Sequence, residues 1–238
     1  MRVGVAGVGK WGINLVRVLK DLDVEVETFD PVAESTTETF KELVGSVDKV
    51  MVASPPWEHF EQARIVVETG KPLFVEKPVC FTSWQAHYLK THQKTQVHVG
   101  HILTTTRGFV REKEKRPRHF QAWRASHNPG YHNLNALWDI GVHDVAAAVN
   151  LFGKPDHVEG AVTEETYKLW LNFTANRTAV IEGSRVADGK QWIVQFDDRK
   201  YTPYSEKTEP LLQEVEAFLD GYDNLDEAAT VVDVLNSV

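Results

Sequence analysis

The first thirty residues constrain the fold of this chain more than any other segment. An apolar run, 2–6, is followed directly by Gly7-Val8-Gly9-Lys10-Trp11-Gly12. A helical pattern comes next, and then a second β-rich run, 24–29, which ends at Asp30. Strand, glycine-rich turn, helix, strand and acidic residue is the order that a dinucleotide-binding βαβ unit requires. The pattern therefore predicts a Rossmann-type dinucleotide site, with a glycine-containing turn of an unrelated α/β protein as the alternative.

Each glycine and the acidic residue of such a unit has a physical role that this sequence can fill. Gly7 permits the tight turn, Gly9 lets the backbone approach a pyrophosphate, and Gly12 lets the helix pack against the strand. The N–H groups at the helix start would face the phosphates. A carboxylate at Asp30 accepts hydrogen bonds from the ribose hydroxyls of NAD and repels the 2′-phosphate of NADP. No Arg or Lys occurs over 31–40, so NAD is favoured over NADP.

Composition excludes several other classes of protein. The chain has 238 residues, of which 42% are hydrophobic and 25% charged, as in globular enzymes. A net charge of −8 offers no basic surface for nucleic acid, and the basic cluster 107–118 is interrupted by acids and is interpreted as a solvated helix face. The single Cys80 favours a reducing cytoplasm. We expect no targeting segment, no membrane span and no metal site, since His127 and His132 have no zinc-type spacing to any cysteine.

Strand and helix patterns alternate up to about residue 103. Further strands are predicted over 48–53, 72–75 and 96–102, and helices over 34–44, 57–69 and 82–94. Five apolar strands separated by helices predict a doubly wound parallel sheet, whose ligands bind beyond the carboxyl ends of the strands. Polar segments lie at those ends: Ser54-Pro55-Pro56 with His59, Glu76-Lys77-Pro78, and Gly100-His101. We expect these segments to converge on one crevice.

From residue 104 the pattern changes. A polar connector with one short helix, 104–117, is followed by short β-like runs at 120–125, 158–163, 167–173, 178–185 and 191–196. Turn residues such as Ala175-Asn176 and Asp188-Gly189 between the runs predict an antiparallel sheet. Two helices, 211–219 and 226–236, close the chain. We therefore predict a Rossmann domain over 1–103 and a smaller α+β domain over 104–238, whose closing helices could pack back on the first domain.

The segment 135–152 predicts a helix with one apolar stripe. The stripe consists of residues spaced three and four apart, Trp138, Val142, Val145, Val149 and Phe152. Asp139 and His143 lie four apart on a neighbouring face, where a carboxylate favours the charged imidazole and orients it. An exposed pair that only solvates the helix is the commoner alternative. Asp144 is expected to be a structural hydrogen-bonding residue.

Lys77 is open to two interpretations as well. An amine at the end of an apolar parallel strand lies over the ligand crevice, where it could take part in chemistry. A loop lysine that is paired with Glu76 and solvated fits the sequence equally well.

Four segments together resemble one enzyme family. The glycine turn, Ser54-Pro55-Pro56 with His59, Glu76-Lys77-Pro78, and the segment 139–144, Asp-Ile-Gly-Val-His-Asp, occur in the order and spacing of the Gfo/Idh/MocA family of glucose–fructose oxidoreductase and inositol dehydrogenase. The resemblance covers the Rossmann half fully and the second half in outline. It implies an NAD(P)-dependent oxidoreductase that acts on a secondary alcohol of a sugar, cyclitol or nucleotide-sugar derivative.

The same resemblance implies roles for individual residues. His143 would be the general acid/base on the reacting hydroxyl, Lys77 would polarise the same oxygen and carry its proton, and Asp139 would orient the pair. The expected cofactor contacts are Gly7, Val8, Gly9, Lys10, Trp11, Gly12, Asp30, Ser54, Pro55, Pro56, His59, Glu76 and Lys77. The expected substrate contacts, each equally compatible with an ordinary loop residue, are His101, His127, Asn128, Tyr131 and His132.

The second half of the chain is shorter than is usual in the family. There the antiparallel sheet supplies oligomer contacts and walls of the substrate pocket. We expect a homo-oligomer, with a pocket that is unusually open, is completed by a partner subunit, or is adapted to a large substrate such as a nucleotide sugar. Two alternatives remain open. A catalytically idle NAD-binding sensor could have such a reduced domain, although it has no chemical reason to keep Lys77, Asp139 and His143. A biliverdin-reductase-type reductase would not need the last two.

Overall fold

The computed structural model describes residues 1–127 and 133–238, and the chain is divided into two compact units. Unit 1 comprises Met1–Gly100 and Leu211–Ala229, and unit 2 comprises His101–Pro210 and Thr230–Val238. Among the described residues, every helix is too short or too polar to traverse a lipid bilayer.

A five-stranded parallel sheet forms the centre of unit 1. Its strands are β1 (Arg2–Ala6), β2 (Glu25–Phe29), β3 (Lys49–Val52), β4 (Leu73–Glu76) and β5 (Val97–Gly100). The sheet order is β2-β1-β3-β4-β5, so the topological switch point lies between β1 and β3. Side chains on both faces are buried, as at Val3, Met51 and Phe74, because helices cover both sides. The prediction of a doubly wound parallel sheet is confirmed.

The helices that connect these strands begin where the sequence offers caps. They are α1 (Gly12–Asp21), α2 (Phe40–Ser46), α3 (His59–Thr69), which follows the 3₁₀ turn Pro56–Glu58, and α4 (Ser83–His92). Thr39 and Thr82 form capping boxes at α2 and α4. The predicted start of α2 at residue 34 was wrong, because Thr36 and Thr37 instead hydrogen-bond to Thr28 and hold this segment beside β2.

The described residues of unit 2 include a six-stranded sheet and two complete helices. The strands are β6 (His119–His127), β7 (His157–Val162), β8 (Thr166–Phe173), β9 (Arg177–Ser184), β10 (Val186–Phe196) and β11 (Arg199–Tyr201), and the helices are α5 (Arg107–Glu114) and α6 (Val142–Phe152). The sheet order is β11-β10-β6-β9-β8-β7. Every neighbouring pair is antiparallel except β6 and β9. A helical crossover separates those two strands in the chain, which is what permits parallel pairing.

The two predicted turns of unit 2 had different outcomes. Ala175 and Asn176 adopt left-handed φ angles of 60° and 55° between β8 and β9, as a tight turn requires. The turn predicted at Asp188-Gly189 was wrong, since this dipeptide lies within β10, where the register against β6 shifts between Val186 and Gln191. The irregularity absorbs the extra residues as a bulge, and the strand continues.

The segment that carries Asp139 and His143 is helical but less regular than predicted. A π-helical turn, Leu137–Gly141, leads into α6. Residues 142–150 of α6 are all buried, so the helix lies within the core of unit 2 and has no solvated face along that stretch. The prediction of a single apolar stripe was therefore too narrow, because every residue along that stretch of α6 is buried. A helix buried on all sides can carry polar residues only where they have partners.

Helices α7 (Pro210–Leu219) and α8 (Leu225–Leu235) close the chain. Residues Leu211–Ala229 belong to unit 1, where the ring of Phe218 packs on Phe74 with centroids 5.8 Å apart. The last part of α8 contributes Val231, Val234 and Leu235 to the apolar core of unit 2.

Candidate active site

The glycine turn between β1 and α1 has the close contacts that only glycine allows. Gly7 has a φ of +86°, and a Cβ built there would lie 2.5 Å from the Ser54 nitrogen. A Cβ at Gly12 would lie 1.8 Å from the Gly7 carbonyl oxygen. Both glycines are therefore required by the approach of the turn to β3 and α1.

Gly9 is different, because a Cβ built there would meet nothing within 4 Å. The side chain missing at Gly9 thus leaves open space beside the start of α1. No side chain caps the N-terminus of α1, and its first turn contains no acidic residue. A helix N-terminus with open space and no side-chain cap suits a phosphate group. These residues therefore fit the pyrophosphate of a dinucleotide.

Asp30 is held at the end of β2 by backbone N–H groups. Its carboxylate accepts hydrogen bonds from Val8 (2.9 Å), Val32 (2.9 Å) and Ala33 (3.0 Å). Partial burial alone would raise the pKa of Asp30, but these three hydrogen bonds outweigh it and lower the pKa below its ordinary value. Asp30 is therefore a fixed, ionised carboxylate beside the glycine turn.

The segments 54–56 and 76–78, which follow β3 and β4, are tied together by one buried histidine. Both ring nitrogens of His59 lie 2.8 Å from backbone carbonyl oxygens, Nδ1 from that of Pro78 and Nε2 from that of Ser54. The side chain is 1% exposed, and its burial lowers the pKa of His59 although the carbonyls oppose the shift. His59 thus holds the two segments in place, so we expect any effect on a cofactor to be indirect.

Glu76 links the glycine turn to the Lys77 segment. The indole nitrogen of Trp11 donates to one carboxylate oxygen, and the Lys77 backbone N–H donates to the other at 3.3 Å. Glu76 is 7% exposed, and burial raises its pKa to about 7 against the opposing effects of Trp11 and Lys77. Lys77 itself is half-buried at the end of β4 and is joined to Pro78 by a cis peptide bond.

In unit 2, Asp139 and His143 are buried and not a solvated surface pair. Asp139 is 6% and His143 9% exposed. The guanidinium of Arg185, itself 4% exposed, donates to the Leu134 carbonyl at 2.6 Å and lies 4.0 Å from an Asp139 oxygen. Sequence reasoning missed Arg185, which stands at the end of a strand with no motif around it.

Two aromatic rings flank the imidazole of His143. His101 lies edge-on with ring centroids 6.2 Å apart, and Trp192 lies at 6.1 Å. His101 is therefore beside His143 within unit 2 and is buried, with 3% exposure. His127, another predicted substrate residue, is exposed at the end of β6. The remaining three, Asn128, Tyr131 and His132, lie outside the described residues.

Asp144 has a structural environment, as its sequence context suggested. Its carboxylate accepts from the Trp192 indole (2.7 Å) and the Tyr167 hydroxyl (3.3 Å), and Arg124 lies 3.3 Å away. The Arg124 guanidinium also stacks 3.6 Å above the Trp192 ring. Complete burial raises the pKa of Asp144, while Arg124 and the hydrogen bonds oppose the rise. This network fixes Trp192, which is one wall of the His143 environment.

Two further kinds of ligand site, a metal site and a surface cleft, can be assessed in the described part of the chain. Residues 1–127 and 133–238 contain no group of three or more His, Cys, Asp or Glu that could hold a metal ion. A cleft of about 490 Å³ on unit 2 is bordered by cationic side chains, among them Arg107, Arg111 and Lys200. The basic cluster predicted as a solvated helix face therefore also lines a surface cleft.

Comparison with known proteins agrees with the dinucleotide-binding class that this fold and turn define. Residues 1–101 match the family described as "Oxidoreductase family, NAD-binding Rossmann fold", GFO_IDH_MocA. The chain is 31% identical over 185 residues to YhhX, an uncharacterized oxidoreductase of Escherichia coli, covering 68% of this chain and 51% of YhhX. It is 25% identical over 211 residues to UDP-N-acetylglucosamine 3-dehydrogenase of Acidithiobacillus ferrooxidans, covering 78% and 67%.

Solved structures share the fold of the whole chain. That of the Acidithiobacillus ferrooxidans UDP-N-acetylglucosamine 3-dehydrogenase matches with a TM-score of 0.87 at 19% identity, over 100% of this chain and 96% of the other. The WlbA dehydrogenase of Thermus thermophilus, in complex with NAD and alpha-ketoglutarate, matches with a TM-score of 0.82 at 18% identity, over 98% and 92%.

Residues 1–101 belong to the Gfo/Idh/MocA oxidoreductase family, as the motifs predicted. They form the NAD-binding Rossmann fold of that family. The aligned part of the chain spans 51% of the length of YhhX and 67% of that of the UDP-N-acetylglucosamine 3-dehydrogenase.

Proposed function

We propose that this protein is an NAD-dependent dehydrogenase that transfers a hydride between nicotinamide and a secondary alcohol of a sugar, cyclitol or nucleotide sugar. The observation that carries the proposal is the burial of Asp139 and His143 beside Arg185, on a chain that also keeps Lys77 in the family's Glu-Lys-Pro motif. Burying ionisable side chains such as these costs stability unless they have a function or good partners. A sensor has no chemical use for this set of residues, which favours the enzyme.

The proposed residue roles follow from the chemistry of alcohol oxidation. Nicotinamide, when bound, accepts the hydride from the alcohol carbon. Loss of the hydride must be coupled to loss of the hydroxyl proton, which a positioned base accelerates by roughly 10²–10⁴-fold. His143 would accept that proton on its imidazole. Lys77 would hold the same oxygen through its ammonium group, and Asp139 would keep His143 oriented.

NAD is the proposed cofactor because of Asp30. Its carboxylate is ionised and fixed by three backbone hydrogen bonds, so a 2′-phosphate beside it would meet a like charge. The complex of the related WlbA fold with NAD supports the same choice.

The proposed substrate class rests on the relatives. One is named for activity on UDP-N-acetylglucosamine, and another is named a scyllo-inositol 2-dehydrogenase. We therefore propose a sugar-like alcohol as the substrate, with a nucleotide sugar as the first candidate. No nucleic-acid or membrane partner is proposed, and the place of action is proposed to be the cytoplasm.

A homo-oligomer is also proposed. The outer face of the unit 2 sheet exposes Trp123 (37%), Trp170 (42%) and Ile193 (39%). Ile193 and Trp123 are directly paired across β10 and β6. Large apolar side chains clustered on an open sheet face are typical of a subunit contact. Size-exclusion chromatography with light scattering measures the mass directly, and a monomer at micromolar concentration would contradict this proposal.

The decisive test separates catalysis from cofactor binding. Nicotinamide absorbance is followed with a panel of nucleotide sugars, free sugars and inositols, using Lys77→Met and His143→Asn as variants. Each should lower kcat by at least about 10²-fold, while the NADH affinity of His143→Asn, measured by fluorescence, changes little.

The matched controls carry the same substitutions at exposed positions, Lys41→Met on α2 and His92→Asn on α4, and should keep full activity. NADH binding without turnover of any alcohol, unchanged in both variants, would favour the idle sensor. Reduction of an imine or enone that is insensitive to His143→Asn would favour the biliverdin-reductase-type alternative.

A further inference from the structure

A second cluster of ionisable groups lies buried in unit 1, around Glu76. His98 is 0% and Glu214 1% exposed, compared with 7% for Glu76. Glu76 and His98 project from the same face of the sheet, because Glu76 is paired with Gly100 and Phe74 with His98 across β4 and β5. Helix α7 covers this face and brings a Glu214 oxygen to 4.0 Å from His98 Nε2.

The carboxylate of Glu76 joins two parts of the candidate site. Trp11, the residue immediately before α1, donates to one oxygen, and the Lys77 backbone N–H donates to the other. An ionised carboxylate accepts at both oxygens, whereas the protonated acid must use one oxygen as a donor. Both bonds are therefore stronger in the ionised form, because protonation turns one oxygen into a hydroxyl, which is a poorer acceptor. The ionised form connects the glycine turn to the Lys77 segment most firmly.

Two carboxyl groups buried near each other do not both ionise at neutral pH. Burial raises the pKa of Glu214 well above its ordinary value, and the charge of Glu76 raises it further. Glu214 is therefore the protonated member, and the state of Glu76 changes near neutrality. The other groups facing the pair are Lys77 after β4, His98 on β5 and His59 on α3, whose burial lowers its pKa.

We propose that Glu76 is a positioning residue whose ionisation orders the glycine turn and the Lys77 segment for the dinucleotide. This inference rests on the proposed cofactor site and adds a proton-coupled step to it. Cofactor affinity should then depend on pH through a carboxyl group that lies inside the domain and has no direct role in the hydride transfer.

The first experiment measures NADH dissociation constants by fluorescence from about pH 5 to about pH 9. In the unchanged protein, affinity should fall about tenfold as the pH drops through the neutral range, as expected when a charge-assisted hydrogen bond is lost. Glu76→Gln should have the lower affinity at every pH. Glu214→Gln should keep both the high affinity and the pH of the transition, because Glu214 is already uncharged in this range.

The matched control is Glu61→Gln, an exposed glutamate on α3, which should behave like the unchanged protein. Trp11→Phe removes only the N–H donor from a side chain that is 43% exposed, so the domain should remain folded. It should lose about as much affinity as Glu76→Gln, and the double variant should lose little more, because one bond is removed twice.

A second readout needs no cofactor. The indole N–H resonance of Trp11, identified by its loss in Trp11→Phe, should shift with pH in the unchanged protein and in Glu214→Gln, and should stay constant in Glu76→Gln. The inference would be overturned if neither the NADH affinity nor the indole shift depended on pH. It would also be overturned if the pH dependence persisted in Glu76→Gln. An indole shift with no NADH binding would also overturn the coupling to cofactor. NADH binding with the predicted pH profile but without turnover of alcohols would leave the inference standing and refute the proposed dehydrogenase.

Discussion

The role of Asp30 could be predicted from the sequence, but its ionisation state depends on the structure. Its position at the end of the second strand was readable from the glycine turn. The three backbone N–H groups that keep it ionised were not, since Val32 and Ala33 reach it only through the turn that follows β2. The same holds for Glu76, where the Glu-Lys-Pro motif was recognisable but the indole of Trp11 as its partner was not.

At this scale we predict that Asp30→Asn reduces the preference for NADH over NADPH by about tenfold or more. The substitution keeps the side-chain size and one acceptor oxygen, and it removes the charge that would face a 2′-phosphate. Fluorescence titration with both nucleotides measures the ratio. Glu34→Gln, an exposed acid four residues further on, serves as the control. An unchanged ratio in Asp30→Asn would mean that another group selects the cofactor.

Among the elements, those with strong local signals were predicted best. The parallel strands of unit 1 are short apolar runs, and the helices between them have capping residues, so their order was clear. Helix α2 began later than predicted because side chains of 36 and 37 bond back to Thr28. The π-helical turn before α6 and the parallel pairing of β6 with β9 depend on contacts between residues far apart in the chain, which no local pattern contains.

Two glycines, Gly12 at the β1–α1 turn and Gly45 on α2, give a matched prediction. Gly12→Ala should abolish measurable NADH binding, because the new Cβ would lie 1.8 Å from the Gly7 carbonyl oxygen and would push α1 away from β1. Gly45→Ala, on α2 with nothing within 4 Å of the added carbon, should leave binding unchanged and stabilise its helix by about 0.5–1 kcal/mol. NADH titration and thermal unfolding test both variants. Equal NADH affinity in the two would show that the turn tolerates a side chain.

For the whole molecule, the acid pair in unit 1 makes stability depend on pH. Burial raises the pKa of Glu76 to about 7 and that of Glu214 further above its ordinary value. The folded chain therefore holds these protons after the unfolded chain has released them, and stability falls as pH rises from about 4.5 upward. Burial lowers the pKa of His59, which acts in the opposite direction up to about pH 6.5.

A difference measurement removes that opposing effect. The urea midpoint of Glu214→Gln minus that of the unchanged protein should increase between about pH 5 and about pH 8. Asp198→Asn, at a side chain that is 91% exposed, should give a difference that is independent of pH. A flat difference for Glu214→Gln would show that this carboxyl is ionised in the folded chain.

The sequence by itself determined the class of the first half, the family, and the identity of the residues proposed for chemistry. It could do so because glycine, proline and charged residues at fixed offsets follow from local geometry and from the needs of a dinucleotide. Only the tertiary structure decided the environments of those residues. It buried Asp139 and His143 with Arg185, made Asp144 a structural residue, and placed Glu214 near Glu76. Burial and long-range partners set the charge of a side chain, and both arise only when distant segments pack together.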